Sequence, residues 1–137
     1  MSFWLLKSEP DVYSYDDLLR EGQTLWTGVR SNGAALHMKA MAVGDEAFFY
    51  HSNIGKEIVA LARITKAALA DPSDETGRWV AVTIAPIRKL ARAVTLAEMK
   101  ATQALAQFQL IRQSRLSVVP VRPEEWTQVL EMAGQRG

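Results

Sequence analysis

The chain has 137 residues, 48% of them hydrophobic and 23% charged, which is enough to bury a core without a metal or a disulfide, and it reads as one domain over 1–137. It contains no cysteine, which excludes thiolate metal sites, cysteine nucleophiles and disulfides. The net charge is only +1, so overall charge makes no case for nucleic acid, and no run approaches the ~20 apolar residues of a membrane span.

Taken in chain order, Phe3 to Lys7 is a short apolar run stopped by Ser8-Glu9-Pro10 and reads as a buried strand. Charge follows this apolar start rather than preceding it, unlike a secretory signal, so a cytoplasmic location is expected. Ser14 opens Ser-Tyr-Asp-Asp, a helix cap with acids in the first turn, and Gly22 ends that helix. Trp26 to Arg30 then joins it to a second helix, whose spacing shows at Leu36, Ala40 and Met41 before the Gly44-Asp45 turn. Glu46 to His51 reads as a strand with Phe48 and Tyr50 on one face and Phe49 and His51 on the other. Asn53 to Lys56 is a hairpin turn, and Glu57 to Lys66 follows as a strand with Ile58, Ala60, Ala62 and Ile64 sharing a face.

Asp71 to Gly77 is the most loop-like stretch. Trp79 to Ile87 reads as a strand that ends near Pro86 at a sheet edge. Thr-Leu-Ala-Glu from Thr95 is a capping box for a helix to about Lys100, Ala104 to Arg112 is ambiguous, and Arg115 to Val121 reads as a short strand. Pro123-Glu124-Glu125 opens a final helix to about Met132. The order strand, helix, helix, three strands, helix, strand, helix is not the alternation of a doubly wound sheet. It predicts an α+β domain on a curved, mostly antiparallel sheet or barrel.

Charge is unevenly distributed. Arg78 to Arg122 holds eight basic residues against the single acid Glu98, a net +7, and the remainder holds eight basic against fourteen acidic, a net −6. Either this makes one basic face, or folding interleaves the two halves. Catalytic patterns are missing: there are two histidines, His37 and His51, no metal-binding histidine pair, no nucleophile elbow and no phosphate loop. The paired acids Asp16-Asp17 and Glu124-Glu125 sit at helix starts, where capping accounts for them.

Several polar residues are embedded in apolar context: Lys7-Ser8-Glu9-Pro10, Trp26 to Arg30, Phe48 to Asn53, and Leu110 to Ser117. A nucleobase needs a flat face to stack on and edge-reading donors and acceptors. Trp and Tyr supply the first, and Ser, Asn, Gln and Arg the second. Residue by residue a structural account stands beside this one. Trp26 is either a pocket wall or a core tryptophan with its N–H satisfied, and Tyr50 either a wall or a core residue with its hydroxyl at the surface. Ser8 is either a base contact or a cap for the chain reversal at Pro10, and Arg112 and Arg115 are either contacts or surface charges. Trp4, Trp79 and Trp126 read as core.

Four segments in register carry a more specific signal. Trp4 to Pro10, Trp26-x-Gly28-Val29-Arg30, Val43-Gly44-Asp45 leading into Phe48 to Asn53, and Arg112 to Val121 followed by Glu124-Glu125-Trp126 together resemble the EVE domain family, a PUA-like group that includes the thymocyte nuclear protein 1 relatives. The resemblance spans essentially the whole chain. It implies a PUA-like curved β-barrel decorated with helices, and a non-catalytic pocket for a modified base in DNA or RNA. By position, that pocket draws on Ser8, Trp26, Tyr50, Ser52 and Asn53, with Arg112, Gln113 and Ser114 at its rim. Lys7, Arg30 and Arg115 are the implied phosphate contacts. The expected partner is nucleic acid, bound by a monomer with no cofactor, metal or membrane. After Arg30 the family continues with asparagine, an aromatic or histidine, and Gln-Ala, where this chain has Ser31-Asn32-Gly33-Ala34-Ala35, which removes side chains near the expected pocket mouth. Two other functions fit the residues: a small hydrolase using Lys7, Glu9 and Tyr50 on a modified nucleoside or amide, and a protein-interaction module.

Overall fold

A computed structural model describes residues 1–134, so the last three positions of the 1–137 span lie outside the described residues. Strand β1 (Phe3–Ser8) buries Trp4, Leu5 and Leu6 in succession, so both of its faces are covered. This is what an unbroken apolar run requires of an interior strand. It pairs in parallel with β3 (Glu46–His51) and antiparallel with β6 (Val118–Val121). Strands β4 (Glu57–Ala70) and β5 (Val80–Thr95) form a long hairpin beside β3, and β2 (Thr24–Trp26) pairs with β5. The sheet therefore runs β2-β5-β4-β3-β1-β6, mixed but with one parallel pairing among the described residues.

Helices cover both faces. On one lie α1 (Tyr15–Glu21) and α2 (Asn32–Ala40), whose Tyr15, Leu18, Ala34 and Met38 pack against Trp4, Leu6, Phe49, Ile64 and Trp26. On the other lie α3 (Leu96–Lys100), a 3-10 turn at Gln103–Leu105, α4 (Gln109–Arg112) and α5 (Pro123–Met132). Their Met99, Phe108, Leu110, Trp126 and Val129 pack against Leu5, Phe48, Tyr50 and Val119. The caps fall as the sequence predicts. Ser14 and Thr95 each close a capping box, and Gly22 ends α1 at φ 79 in the left-handed region.

The α+β architecture on a mostly antiparallel sheet stands, but the barrel does not close. Among the described residues β2 and β6 are edges that do not pair with each other. The two apolar faces are shielded by helices, so the sheet has no need to wrap onto itself. Other expectations change. Strand β2 replaces a plain connection between the first two helices. The Ala104–Arg112 stretch resolves into a 3-10 turn and α4, and β6 begins at Val118 rather than Arg115. Pro86 does not end its strand: β5 runs on to Thr95, with Pro86 opposite Ala62 at a register shift, and β2 has already stopped pairing at Ile84. A residue without an N–H is tolerated where the neighbouring strand is missing. Finally, a register shift between Ile58 and Ala60 turns Ile58 to the α5 side, while Ala60, Ala62 and Ile64 face α1 and α2.

Candidate functional site

Strand β2 is three residues long, and its pairing of Trp26 with Val82 sets the Trp26 indole on the α1–α2 side of the sheet. The ring meets Phe49 at 5.6 Å and Tyr13 at 6.0 Å, edge-on in both cases, and is 9% exposed. Its Nε1 has no hydrogen-bond partner among the described residues, and none of their buried side-chain nitrogens or oxygens lacks one. The indole N–H therefore reaches open space. Trp4, on the same face, differs: its Nε1 donates to Asp45 Oδ2 at 2.9 Å. Trp26 is thus a core residue by packing and a surface donor by chemistry.

Trp26 also lines a cleft of about 480 Å³, within the range of small-ligand pockets. One wall is β2 and the turn after it, Thr27 to Arg30. The opposite wall is the end of β1, Lys7 to Glu9, with Tyr13 and Ser117. Ser8 Oγ donates to Tyr13 O at 2.5 Å, leaving its lone pairs to accept. Lys7 Nζ donates to Ser114 O at 2.8 Å, and Lys7 N to Ser117 O at 2.9 Å, which fastens the 112–117 loop to β1. Burial lowers the Lys7 pKa from its ordinary value.

The Trp26 wall is held from behind by Asp71. Its buried carboxylate accepts from Gly28 N at 2.9 Å, Arg30 Nη1 at 3.1 Å, Ser73 N at 2.7 Å and Ser73 Oγ at 2.6 Å. Gly28, at φ 83, turns the chain there. Burial alone would raise the Asp71 pKa. The hydrogen bonds from Ser73, Gly28 and Arg30 outweigh it and hold the carboxyl well below the usual carboxylate range.

The residues expected at a pocket do not all converge. Ser8 and Trp26 line the cleft, as do Lys7 and Arg30. Tyr50 lies on the other side of the sheet from Trp26, among the α5 contacts, although β1 and β3 pair it directly with Lys7. Ser52 and Asn53 buttress β1 from its far side: Ser52 N donates to Ser8 O at 2.9 Å and Asn53 Nδ2 to Glu9 Oε1 at 2.8 Å. Arg112, Gln113, Ser114 and Arg115 are exposed on the adjoining loop, and neither arginine has an ion-pair partner among the described residues.

Three of the eight cations of the +7 segment meet carboxylates, Lys89 at Asp16, Arg92 at Glu98 and Arg122 at Glu124 and Glu125, so folding interleaves part of the charge, while Arg112 and Arg115 meet none among the described residues and sit on the segment that Lys7 holds. Tyr13 and Asp71 went unmarked in the sequence. Tyr13 has no flanking pattern, and the partners of Asp71 at Gly28 and Arg30 are 43 and 41 residues away.

The departure after Arg30 falls on the first turn of α2. Ser31 accepts from Ala34 N at 3.4 Å as its cap, and a β-carbon at Gly33 would lie 3.1 Å from Leu116 Cδ2. Glycine there lets α2 approach the loop that holds Lys7.

His51 ties α1 to the same region, since its Nε2 accepts from Tyr15 N at 3.2 Å and its ring meets Phe49 edge-on at 5.7 Å. Burial lowers its pKa, against the opposing pull of Glu57 and Asp16. Protonation removes the acceptor and sets a cation at the positive end of α1. The folded protein therefore binds fewer protons than the unfolded chain. The stabilisation is complete above the unfolded value of ~6.5 and is lost as pH falls through the lower folded value. Thermal melting between pH 5 and 8 should show wild-type stability falling toward acid, and His51→Gln should flatten part of that slope. His37, also lowered by burial, contributes in the same direction and accounts for the remainder. Identical slopes for the two proteins would show that His51 does not couple to folding.

No helix among the described residues is long and apolar enough to cross a membrane, and they contain no group of three or more His, Asp or Glu placed to hold a metal. The sequence model of the EVE domain matches residues 2–132. A Rhodopseudomonas palustris protein, Rpa0253, solved by NMR, is 49% identical over 98% of this chain and 94% of its own, with a TM-score of 0.93. Human thymocyte nuclear protein 1 is 32% identical over 96% of this chain and 73% of its own length. Its crystal structure in complex with 5-methylcytosine-containing DNA matches over 100% of both chains at TM-score 0.92 and 32% identity. The YTH domain of Zygosaccharomyces rouxii MRB1, solved with N6-methyladenosine RNA, matches over 99% of this chain and 88% of its own at TM-score 0.62 and 13% identity, a likeness of fold alone.

Proposed function

We propose that this chain, which belongs to the EVE domain family, binds a modified nucleobase of DNA or RNA in the cleft beside Trp26, without catalysing a reaction. The observation that carries the reading is the Trp26 indole, packed against Phe49 and Tyr13 yet lining the cleft, with an N–H that no group among the described residues accepts. An aromatic face and an unused donor in a cleft of this size suit a flat ligand with acceptors at its edge. The human relative solved with methylated DNA supports the same class of ligand. In this reading the cleft groups bind rather than react. Lys7 is occupied by a carbonyl and Glu9 by Asn53, which fits fixed walls better than a proton relay.

The reading covers the chain as one PUA-like domain, acting as a monomer in the cytoplasm, with Ser8 as an edge contact and Lys7 and Arg30 beside the sugar-phosphate backbone. Ser52 and Asn53 act by fixing the β1 wall, and Tyr50 contributes through packing rather than contact. A panel of otherwise identical oligonucleotides carrying 5-methylcytosine, N6-methyladenine or no modification tests it. Preferential binding of one modified probe, weakened in Trp26→Ala, is expected. Equal binding of all probes by both proteins would rule it out.

Arg112, Gln113, Ser114 and Arg115 form the rim in this proposal, with the two arginines facing phosphates. Arg115→Ala should then weaken binding about equally for modified and plain probes and reduce the slope of log K against log salt by about 1. A titration at several salt concentrations checks this, and an unchanged slope would remove Arg115 from the interface.

A further inference from the structure

We propose that Val12 enters the gap left in a duplex when the cleft takes up a base, with Ile54 as a second apolar contact on the adjoining hairpin tip; this rests on the base-binding reading above. Val12 is 74% exposed and Ile54 61%. Single exposed apolar side chains are ordinary, but these two sit on loops that the structure fastens together.

Val12 belongs to the turn from Glu9 to Tyr13, where the N–H groups of Val12 and Tyr13 donate to Glu9 O at 2.9 and 2.8 Å, and it lines the cleft. Ile54 belongs to the turn between β3 and β4. The Asn53 Nδ2 bond to Glu9 Oε1 and the Ser52 N bond to Ser8 O join the two turns directly. The hairpin tip is itself fixed: Ile54 N donates to Ser52 O at 2.7 Å, and Asn53 and Lys56, at φ 63 and 48, are the non-glycine residues with positive φ among the described residues. Backbone held in that region persists only where its surroundings impose it. The molecule thus presents two apolar side chains to solvent on two joined turns, one of which lines the cleft.

A base paired in a duplex must leave the stack before it can reach a pocket. An apolar side chain inserted between base steps takes over part of the lost contact. Valine suits insertion because its branched side chain has few rotamers to lose. A single strand has no such gap. Val12 and Ile54 should therefore matter more for duplex binding than for single-strand binding, whereas Trp26 should matter equally for both.

The test compares wild type, the double variant Val12→Ser/Ile54→Ser, and Trp26→Ala on one 5-methylcytosine-containing DNA oligonucleotide, single-stranded and annealed to its complement. Both substituted positions are exposed, so the melting temperature of the double variant serves as the check that it is folded. Relative to wild type, the double variant should lose about tenfold more affinity for the duplex than for the single strand. Equal losses on both probes, no loss on the duplex, or a wild type that takes the single strand but not the duplex would overturn the insertion role and leave the base-binding reading in place. A wild type that binds neither probe, or binds both independently of Trp26, would overturn that reading and this one together.

Discussion

Trp26→Ala should weaken binding of a modified-base oligonucleotide by tenfold or more, because stacking of one base on an aromatic ring contributes about 1–3 kcal/mol. The same substitution should cost stability, since the ring packs edge-on against Phe49 and Tyr13 and is 9% exposed. Truncating a core tryptophan costs about 3–5 kcal/mol. The two effects are separable. Trp26→Phe keeps an aromatic face and most of the packing but removes an N–H that has no acceptor among the described residues. Its binding loss should match one hydrogen bond, about 0.5–1.5 kcal/mol, or roughly twofold to tenfold. Trp4→Phe is the control. Trp4 is equally buried on the same sheet face, but its N–H is spent on Asp45 and it does not line the cleft, so that variant should lose stability and keep affinity at saturating folded fraction. Equilibrium binding at a temperature where thermal melts show each variant folded decides the matter. A folded Trp26→Ala with wild-type affinity and base preference would remove the cleft from the function.

What the sequence could reveal follows the range of each interaction. The Ser14 and Thr95 capping boxes and the Pro123 helix start are complete within three or four residues, and each was legible. The alternation of Phe48, Phe49, Tyr50 and His51 between two faces was legible for the same reason. Which of those faces carries the cleft was not, because that depends on where β2 docks. Strand β2 is too short to show a period, and it pairs with β5 near Val82, far along the chain. Tyr50 consequently read as a companion of Trp26, although the sheet stands between them. The bulge between Ile58 and Ala60 was invisible for a related reason. Strict alternation in the sequence conceals a break that only the partner strand imposes. Asp71 shows the limit most clearly. In sequence it is the first residue of a polar loop, and in the structure it is the buried anchor of the cleft's back wall.

That position makes Asp71→Ala the strongest expected perturbation outside the cleft. The substitution removes the shared acceptor of Gly28 N, Ser73 N, Ser73 Oγ and Arg30. Arg30 is 39% exposed along its side chain and can turn to water, and the Ser73 hydroxyl can do likewise, so the loss concentrates on the Gly28 amide and the loop turn. A cost of roughly 2–3 kcal/mol in stability is expected from stranding those donors. Binding should fall as well, since Thr27 to Arg30 form the wall next to Trp26 and Asp71 is the acceptor of the Gly28 amide. Asp71→Asn separates the two parts of the role. Its amide oxygen can still accept from Gly28 or Ser73, so the turn should largely hold, while the charge that restrains Arg30 is gone. The freed guanidinium then becomes available to phosphate, so Asp71→Asn should retain most of the base preference and show a steeper salt dependence than wild type.

The pH dependence has a fixed sign. The folded-state pKa of Asp71 lies below that of the unfolded chain, so its stabilisation is present above ~3.9 and is lost as pH falls through the folded value. Asp71→Asn would unfold at lower pH than wild type, and be the more stable at pH 7, only if the carboxylate were a net liability. With four donors aimed at it, the opposite order is expected, with Asp71→Asn less stable at pH 7 and the gap between the two proteins narrowing in acid. Denaturant melts at pH 7 and pH 3 measure that gap directly, and a gap that widened in acid would contradict the anchoring role.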